Sequence, residues 1–320
     1  MPLIPYLAER LHLIQDIRVE DLGPDIHTLD PALLARLAAF HDDGDSWRLP
    51  EGVKVHDLLI PGPHGEIPLR TYQSNVPSNT FVLWVHGGGF TSGTLDWPES
   101  HMVSAELSAR SSATVVAVDY RLAGPDTRYP VPLDDVQTAW TWLSKYAREA
   151  TPKPALILGG ASAGAALALG VAVEALAGID TLLLAYPFAH FPVPALPFPL
   201  ADEMRQLPPL MRFPTETISG MVETYIGRIH SIPPRALPGH MTLSEILPRA
   251  SILISEYDDL RPSGELLARQ WADAGANVSV RVESGVPHGH LNRYPAMPGV
   301  SDSLEWFASA IRKTQRMDTK

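Results

Sequence analysis

The chain is predicted to fold as an α/β protein built on a mostly parallel, eight-stranded sheet flanked by helices, and three observations predict it. Most of six candidate strands are nearly continuous apolar runs, the composition of strands covered on both faces as parallel sheets require. Helical segments alternate with those runs along the second half of the chain. The length of 320 residues and a hydrophobic content of 45% supply the core that such a sheet needs.

Taken in order, residues 1–50 read as two short helices, around Leu7 to Ile17 and around Pro31 to Phe40, the second with Asp30 as N-cap and Pro31 in its first turn. Their apolar positions recur at helical spacing in Leu7, Leu11, Ile14 and in Leu33, Leu34, Leu37. Val53 to Ile60 and Ile67 to Tyr72 alternate with polar residues around Pro61-Gly62-Pro63-His64-Gly65, which predicts an antiparallel hairpin. The six candidate strands are Phe81 to Val85, Thr114 to Asp119, Ala155 to Leu158, Thr181 to Tyr186, Ser251 to Ser255 and Val278 to Val282. Helices are expected near Ser100 to Arg110, Leu133 to Glu149, Ser162 to Leu176, Ser263 to Ala274 and Ser301 to Arg312. Between 187 and 248 prolines crowd and only Thr215 to Ile229 reads as helix, which marks a long functional insertion or lid. Residues 1–50 are therefore expected to form N-terminal cap helices and 51–320 the core, with 187–248 contributing to the cap. Phe188, Phe191, Phe198, Met204, Leu207, Leu210, Met211 and Phe213 make this insertion apolar enough to line a pocket.

The formal net charge of −11, without a dense Lys/Arg cluster, opposes binding to a phosphate backbone, so no nucleic-acid partner is expected. No cysteine is present, which removes disulfides, thiolate metal sites and cysteine nucleophiles together. The N-terminus lacks a basic start followed by an unbroken apolar core, and no run approaches the roughly 18 apolar residues of a membrane span, so a cytoplasmic protein is the expectation.

Two stretches carry chemistry. Gly160-Ala161-Ser162-Ala163-Gly164 follows a strand and opens an alanine-rich helix, the pattern of a GxSxG nucleophile elbow, in which a sharp turn holds the serine at the positive end of the next helix. Read alone, it is equally a tight turn whose serine caps the helix. His86-Gly87-Gly88-Gly89-Phe90 also follows a strand, and three glycines let bare N–H groups approach a developing anion; alone, they are also a flexible turn. His288-x-His290 has the spacing of a metal pair, but without cysteine or acidic partners no metal is assigned, and no cofactor is implied. Asp119-Tyr120-Arg121 reads as a structural ion-pair and turn element, and the remaining histidines as solvated surface positions.

In combination, His86-Gly87-Gly88-Gly89-Phe90, Asp119-Tyr120-Arg121-Leu122-Ala123 with Tyr129-Pro130 and Asp134-Asp135, Gly160-Ala161-Ser162-Ala163-Gly164, Glu256-Tyr257-Asp258-Asp259-Leu260-Arg261 and Gly285-Val286-Pro287-His288-Gly289-His290 stand in the order of the motifs of the hormone-sensitive-lipase-like esterases. The chain resembles that family of the α/β-hydrolase fold from about Thr80 to Leu291. The resemblance implies Ser162 as nucleophile, Asp258 as triad acid and His288 as general base, with the amides of Gly88, Gly89 and Ala163 as oxyanion donors. The order Ser, Asp, His, with Asp258 and His288 each just past the end of a predicted strand, agrees with it. The family pattern selects Asp258 over Asp259, leaving Asp259 to meet solvent or cap the next helix, and places His290 where relatives carry an aromatic pocket residue. Relatives often have an acidic residue in place of Ala161, Gly-Gly-Asn after the serine where this chain has Gly164-Ala165-Ala166, and an acidic residue in place of Pro262. These departures bear on substrate preference and loop geometry, since none removes a proton-transfer group. The function implied is hydrolysis of carboxylic esters with small or medium apolar acyl groups. The same machinery on an amide, lactone or biosynthetic acyl intermediate, and a non-catalytic hydrolase-fold receptor, are the alternatives. The expected partners are a small-molecule acyl substrate and, at most, a second copy of the chain as a homodimer.

Overall fold

The apolar runs pair into one sheet in the computed structural model, which describes residues 3–22, 29–43, 47–76, 78–175, 178–241 and 247–317. Its eight strands are β1 (Val53–Ile60), β2 (Ile67–Ser74), β3 (Thr80–Val85), β4 (Thr114–Val118), β5 (Ala155–Ala161), β6 (Thr181–Ala185), β7 (Arg249–Tyr257) and β8 (Val278–Pro287), in the spatial order β1-β2-β4-β3-β5-β6-β7-β8. The β1–β2 hairpin is antiparallel, Ile60 opposite Ile67, and β2 joins β4 antiparallel; β3 to β8 run parallel. Continuous apolar runs were the right sign of two-sided burial in β3 to β7, whereas β8, at the sheet edge, leaves Val280 and Val282 exposed. In β3, Phe81, Leu83 and Val85 enter the core on one face and Val82 and Trp84 the core on the other, the period of two that a strand imposes.

Helices α4 (Val131–Ala150), α5 (Ala163–Ala175) and α8 (Arg261–Asp273) cover the first face. Helices α3 (His101–Ser111) and α9 (Val300–Met317) cover the other. Each large aliphatic or aromatic side chain buried this way contributes roughly 1.5–3 kcal/mol. Of the helix predicted from Ser162, the last residue, Leu176, lies outside the described residues. Among the described residues no helix is long and apolar enough to cross a membrane.

The N-terminal region departs from expectation. Instead of one helix over Leu7 to Ile17 there is a single turn, α1 (Pro5–Ala8), and a 3₁₀ turn at Leu11–Leu13. Segments this short gain little from helix propagation, so tertiary contacts decide their shape. The broken path seats Leu3, Leu7, Ile14 and Ile17 together in one buried cluster with Phe40. α2 (Pro31–His41) forms as read, with the Asp30 carboxylate accepting from the Ala32 and Leu33 amides. The proline-rich insertion contains two helices, α6 (Phe198–Met204), absent from the sequence reading, and α7 (Thr215–Ile226), which ends at Gly227 rather than Ile229. Met204, Leu207 and Met211 from this insertion enter the same extended buried cluster as Leu7 and Ile14.

Candidate active site

Three strand ends converge at the carboxyl edge of the parallel sheet. Ser162 stands between β5 and α5 with φ +52°, a left-handed conformation that an L residue adopts only under constraint. The constraint is the close passage of β3: a Cβ on Gly164 would lie 2.3 Å from the carbonyl oxygens of Val85 and His86, and one on Gly160 would lie 2.6 Å from the Gly164 backbone. The Ser162 amide donates to Ala185 O at 2.9 Å, and its carbonyl accepts from Ala165 and Ala166, starting α5. The hydroxyl thus projects at the helix N-terminus, where the dipole favours negative charge.

The structure brings together all three residues singled out in the sequence. His288, directly after β8, has Nε2 2.9 Å from Ser162 Oγ and Nδ1 2.7 Å from Asp258 Oδ2. Asp258 follows β7, is 1% exposed, and has its second oxygen fixed by the Leu260 amide at 2.7 Å. Burial works against a charged imidazole, but the charge and hydrogen bond of Asp258, with Glu99 and Asp259 behind, outweigh it and raise the His288 pKa above 6.5.

The glycine loop passes beside Ser162, where a Cβ on Gly87 would lie 3.1 Å from that of the serine. Gly88 has φ +104°, and a Cβ there would meet Ser92 O at 2.0 Å, so the residue must be glycine. The Gly88 carbonyl accepts from the Ser92 amide and hydroxyl, turning the loop back. Tyr120 stacks on His86 at 4.5 Å and donates to the carbonyls of His86 and Gly87, while Arg121 pairs with the buried Asp135 at 2.5 Å. The Asp119-Tyr120-Arg121 element therefore props the glycine loop. Ala163 begins α5 directly beside the serine.

Several residues of the site gave no local signal. The carboxylate of Glu99, 2% exposed, accepts from the Gly87 amide at 2.6 Å, the Tyr186 hydroxyl at 2.5 Å and Asn292 Nδ2 at 3.1 Å. It ties the glycine loop to the turn after His288 and to Tyr186, whose ring sits edge-on to His288 at 4.8 Å. Burial pushes the Glu99 carboxyl up, and these donors hold it back. Nothing in Trp97-Pro98-Glu99 announces this, because its partners are up to 193 residues away.

Two expectations are corrected. Asp259 neither meets solvent nor caps α8: it forms a two-point ion pair with Arg212, Nε to Oδ2 at 2.9 Å and Nη2 to Oδ1 at 3.0 Å. His290 is not a pocket residue; its Nδ1 meets Ser255 Oγ and its Nε2 meets Ser303 Oγ, both at 3.0 Å, in the interior. Burial drives its pKa down to about 3, so two histidines one residue apart differ in the one property a base needs. Both nitrogens being engaged, His288 and His290 do not converge as a metal pair. His190 also proves buried rather than solvated, bonded to Ser263 and Gln270.

Chemically, this arrangement can pass a proton from Ser162 to His288, hold the imidazole through Asp258, and offer amides to an anion beside the serine. Comparison with known proteins points to the same chemistry. The α/β-hydrolase fold family matches residues 82–292. The chain is 31% identical over 278 residues to Esterase LipI of Mycobacterium tuberculosis, covering 81% of this chain and 82% of that protein. It is 30% identical over 279 residues to the carboxylic ester hydrolase LipN of the same organism, covering 81% and 70% respectively. Among solved structures, the hyperthermophilic esterase from Pyrobaculum calidifontis superposes with a TM-score of 0.79 at 26% identity, over 98% of this chain and 99% of that one.

Proposed function

The chain belongs to a family of the α/β-hydrolase fold and is a carboxylic ester hydrolase; from that premise we propose that it is one of the hormone-sensitive-lipase-like esterases and cleaves esters of small or medium apolar acyl groups through Ser162, His288 and Asp258. The observation that carries this reading is the unbroken chain of contacts from Ser162 Oγ through His288 to Asp258, at 2.9 Å and 2.7 Å, on a serine held at φ +52°.

His288 takes the Ser162 proton as Oγ attacks the ester carbonyl, and the carbonyl oxygen becomes an oxyanion held by the amides of Gly88, Gly89 and Ala163. Each such donor is worth roughly 10²–10³ in kcat. Asp258 accepts from Nδ1–H, fixing the tautomer that leaves Nε2 free and stabilising the imidazolium. The imidazolium then protonates the alcohol oxygen as the C–O bond breaks, leaving an acyl group on Ser162. Water enters, loses its proton to His288, attacks the acyl carbon, and the carboxylic acid departs as Ser162 regains its proton. The N-terminal segment and the 187–248 insertion roof this site as a cap, a role supported by their apolar content and by the buried cluster that both enter.

A serine-directed fluorophosphonate tests the assignment. It is expected to label the protein once, on Ser162, and Ser162→Ala is expected to abolish both labelling and turnover of a chromogenic short-chain ester. Labelling of the Ser162→Ala protein, or turnover surviving in it, would overturn the assignment.

A further inference from the structure

Asp259 follows the triad acid directly, and its pairing with the insertion has no part in proton transfer. Both of its oxygens are used: Oδ1 accepts from Arg212 Nη2, and Oδ2 accepts from Arg212 Nε and, at 2.7 Å, from the backbone N–H of Phe213. The third arm of the guanidinium, Nη1, donates to Met204 O at 2.6 Å, so Arg212 also binds the end of α6. The pair is largely withdrawn from solvent, with side-chain exposures of 21% and 8%, so it is screened less than a surface pair. Its consequence is the placement of Phe213, whose ring meets His288 edge to face at 4.9 Å and 72°.

The position of that ring has a chemical meaning. During acylation the His288 Nε2 proton goes to the departing alcohol oxygen, so the alcohol must leave alongside the imidazole, whereas the carbonyl oxygen turns to the amides of the glycine loop. A group standing against His288 and still partly open to solvent, as Phe213 is and the buried Tyr186 is not, therefore borders the alcohol half of the ester. We propose that Phe213 determines selectivity for the alcohol moiety of the substrate, and that Asp259 and Arg212 are positioning residues that set Phe213 against His288. This inference rests on the triad assigned above.

The test is a double-mutant cycle read as two selectivity profiles. One profile holds the acyl group at acetyl and varies the alcohol from methyl to butyl to cyclohexyl; the other holds the alcohol at methyl and lengthens the acyl chain. Phe213→Ala is expected to change the kcat/KM ratio of cyclohexyl to methyl acetate by roughly three- to tenfold, the range of one aromatic contact, while leaving the acyl profile within about twofold. Asp259→Asn is expected to reproduce that change, and Asp259→Asn with Phe213→Ala to match Phe213→Ala alone, because both act through one ring. Additive effects in the double variant, an equal change in both profiles, or an unchanged alcohol profile in Phe213→Ala would overturn the proposal. Arg212→Gln is the alternative arm of the cycle should Asp259→Asn fail to fold, with the same expected and contrary outcomes. Fluorophosphonate labelling of every variant separates the two claims: loss of Ser162 labelling in the parent protein strikes the triad, whereas retained labelling with an additive cycle strikes only the positioning role.

Discussion

Asp258 and Asp259 leave β7 side by side, one facing His288 and the other Arg212. The chain turns directly after β7, and that turn sends the two carboxylates to different hydrogen-bond partners. Asp258→Asn is expected to lower kcat by roughly 10⁴ on a chromogenic short-chain ester, because the imidazole loses the acceptor that fixes its tautomer. Asp259→Asn is expected to stay within about tenfold on the same ester. The reverse ranking in steady-state kinetics would contradict the triad. His290→Phe should act on stability, since it strands the hydroxyls of Ser255 and Ser303 in the interior at about 1–3 kcal/mol for each group left unpaired. A native melting curve for that variant would refute its interior role. The titration of His288 gives a third prediction. The base must be neutral, so kcat/KM falls as pH drops through its raised pKa, placing the acid limb above pH 6.5. The anionic groups acting on the ring are Asp258, Glu99 and Asp259, and Glu99→Gln, removing one of them, should move the limb to lower pH. A limb below 6.5, or one unmoved by that substitution, would count against this electrostatic account.

At the scale of elements, the glycine loop and the cap differ in how they are held. The loop is fixed by backbone crowding: sequence alone suggests that Gly88→Val would lower kcat with little loss of stability, but a Cβ 2.0 Å from Ser92 O must displace main chain. The variant is therefore expected to lose thermal stability along with roughly 10²–10³ in kcat, and an unchanged melting temperature would deny the close approach. The N-terminal segment is fixed by apolar contact. Leu3, Leu7, Ile14, Ile17 and Phe40 share a cluster with Tyr257 and Leu291, which flank Asp258 and His288 in the chain. Removal of residues 1–40 would expose that cluster, so the segment is better tested by point variants. Leu7→Ala should cost about 2–5 kcal/mol of folding free energy, and a cost well under 1 kcal/mol in denaturant unfolding would mean the segment only decorates the surface.

For the whole molecule, what was legible in the sequence was what is local. The strands over Phe81 to Val85 and Thr181 to Tyr186 were readable because burial on both faces writes itself as an uninterrupted apolar run, and Ser162 and Gly88 because their backbone geometry demands particular neighbours. Glu99, Tyr186, Asn292 and the Arg212–Asp259 pair were not readable. Their meaning lies in contacts spanning 12 to 193 residues, which leave no periodicity or spacing in the chain. The turns of residues 5–17 were misread for a related reason, since a segment that short takes its shape from the surface it covers. The central claim is that this sheet delivers Ser162 as a nucleophile that carries the acyl group, and the most direct measurement is the mass of the protein quenched during turnover of a p-nitrophenyl ester. The account predicts a stoichiometric burst of p-nitrophenol and one acyl adduct on the peptide containing Ser162. Steady turnover with no adduct, or an adduct on another residue, would contradict it.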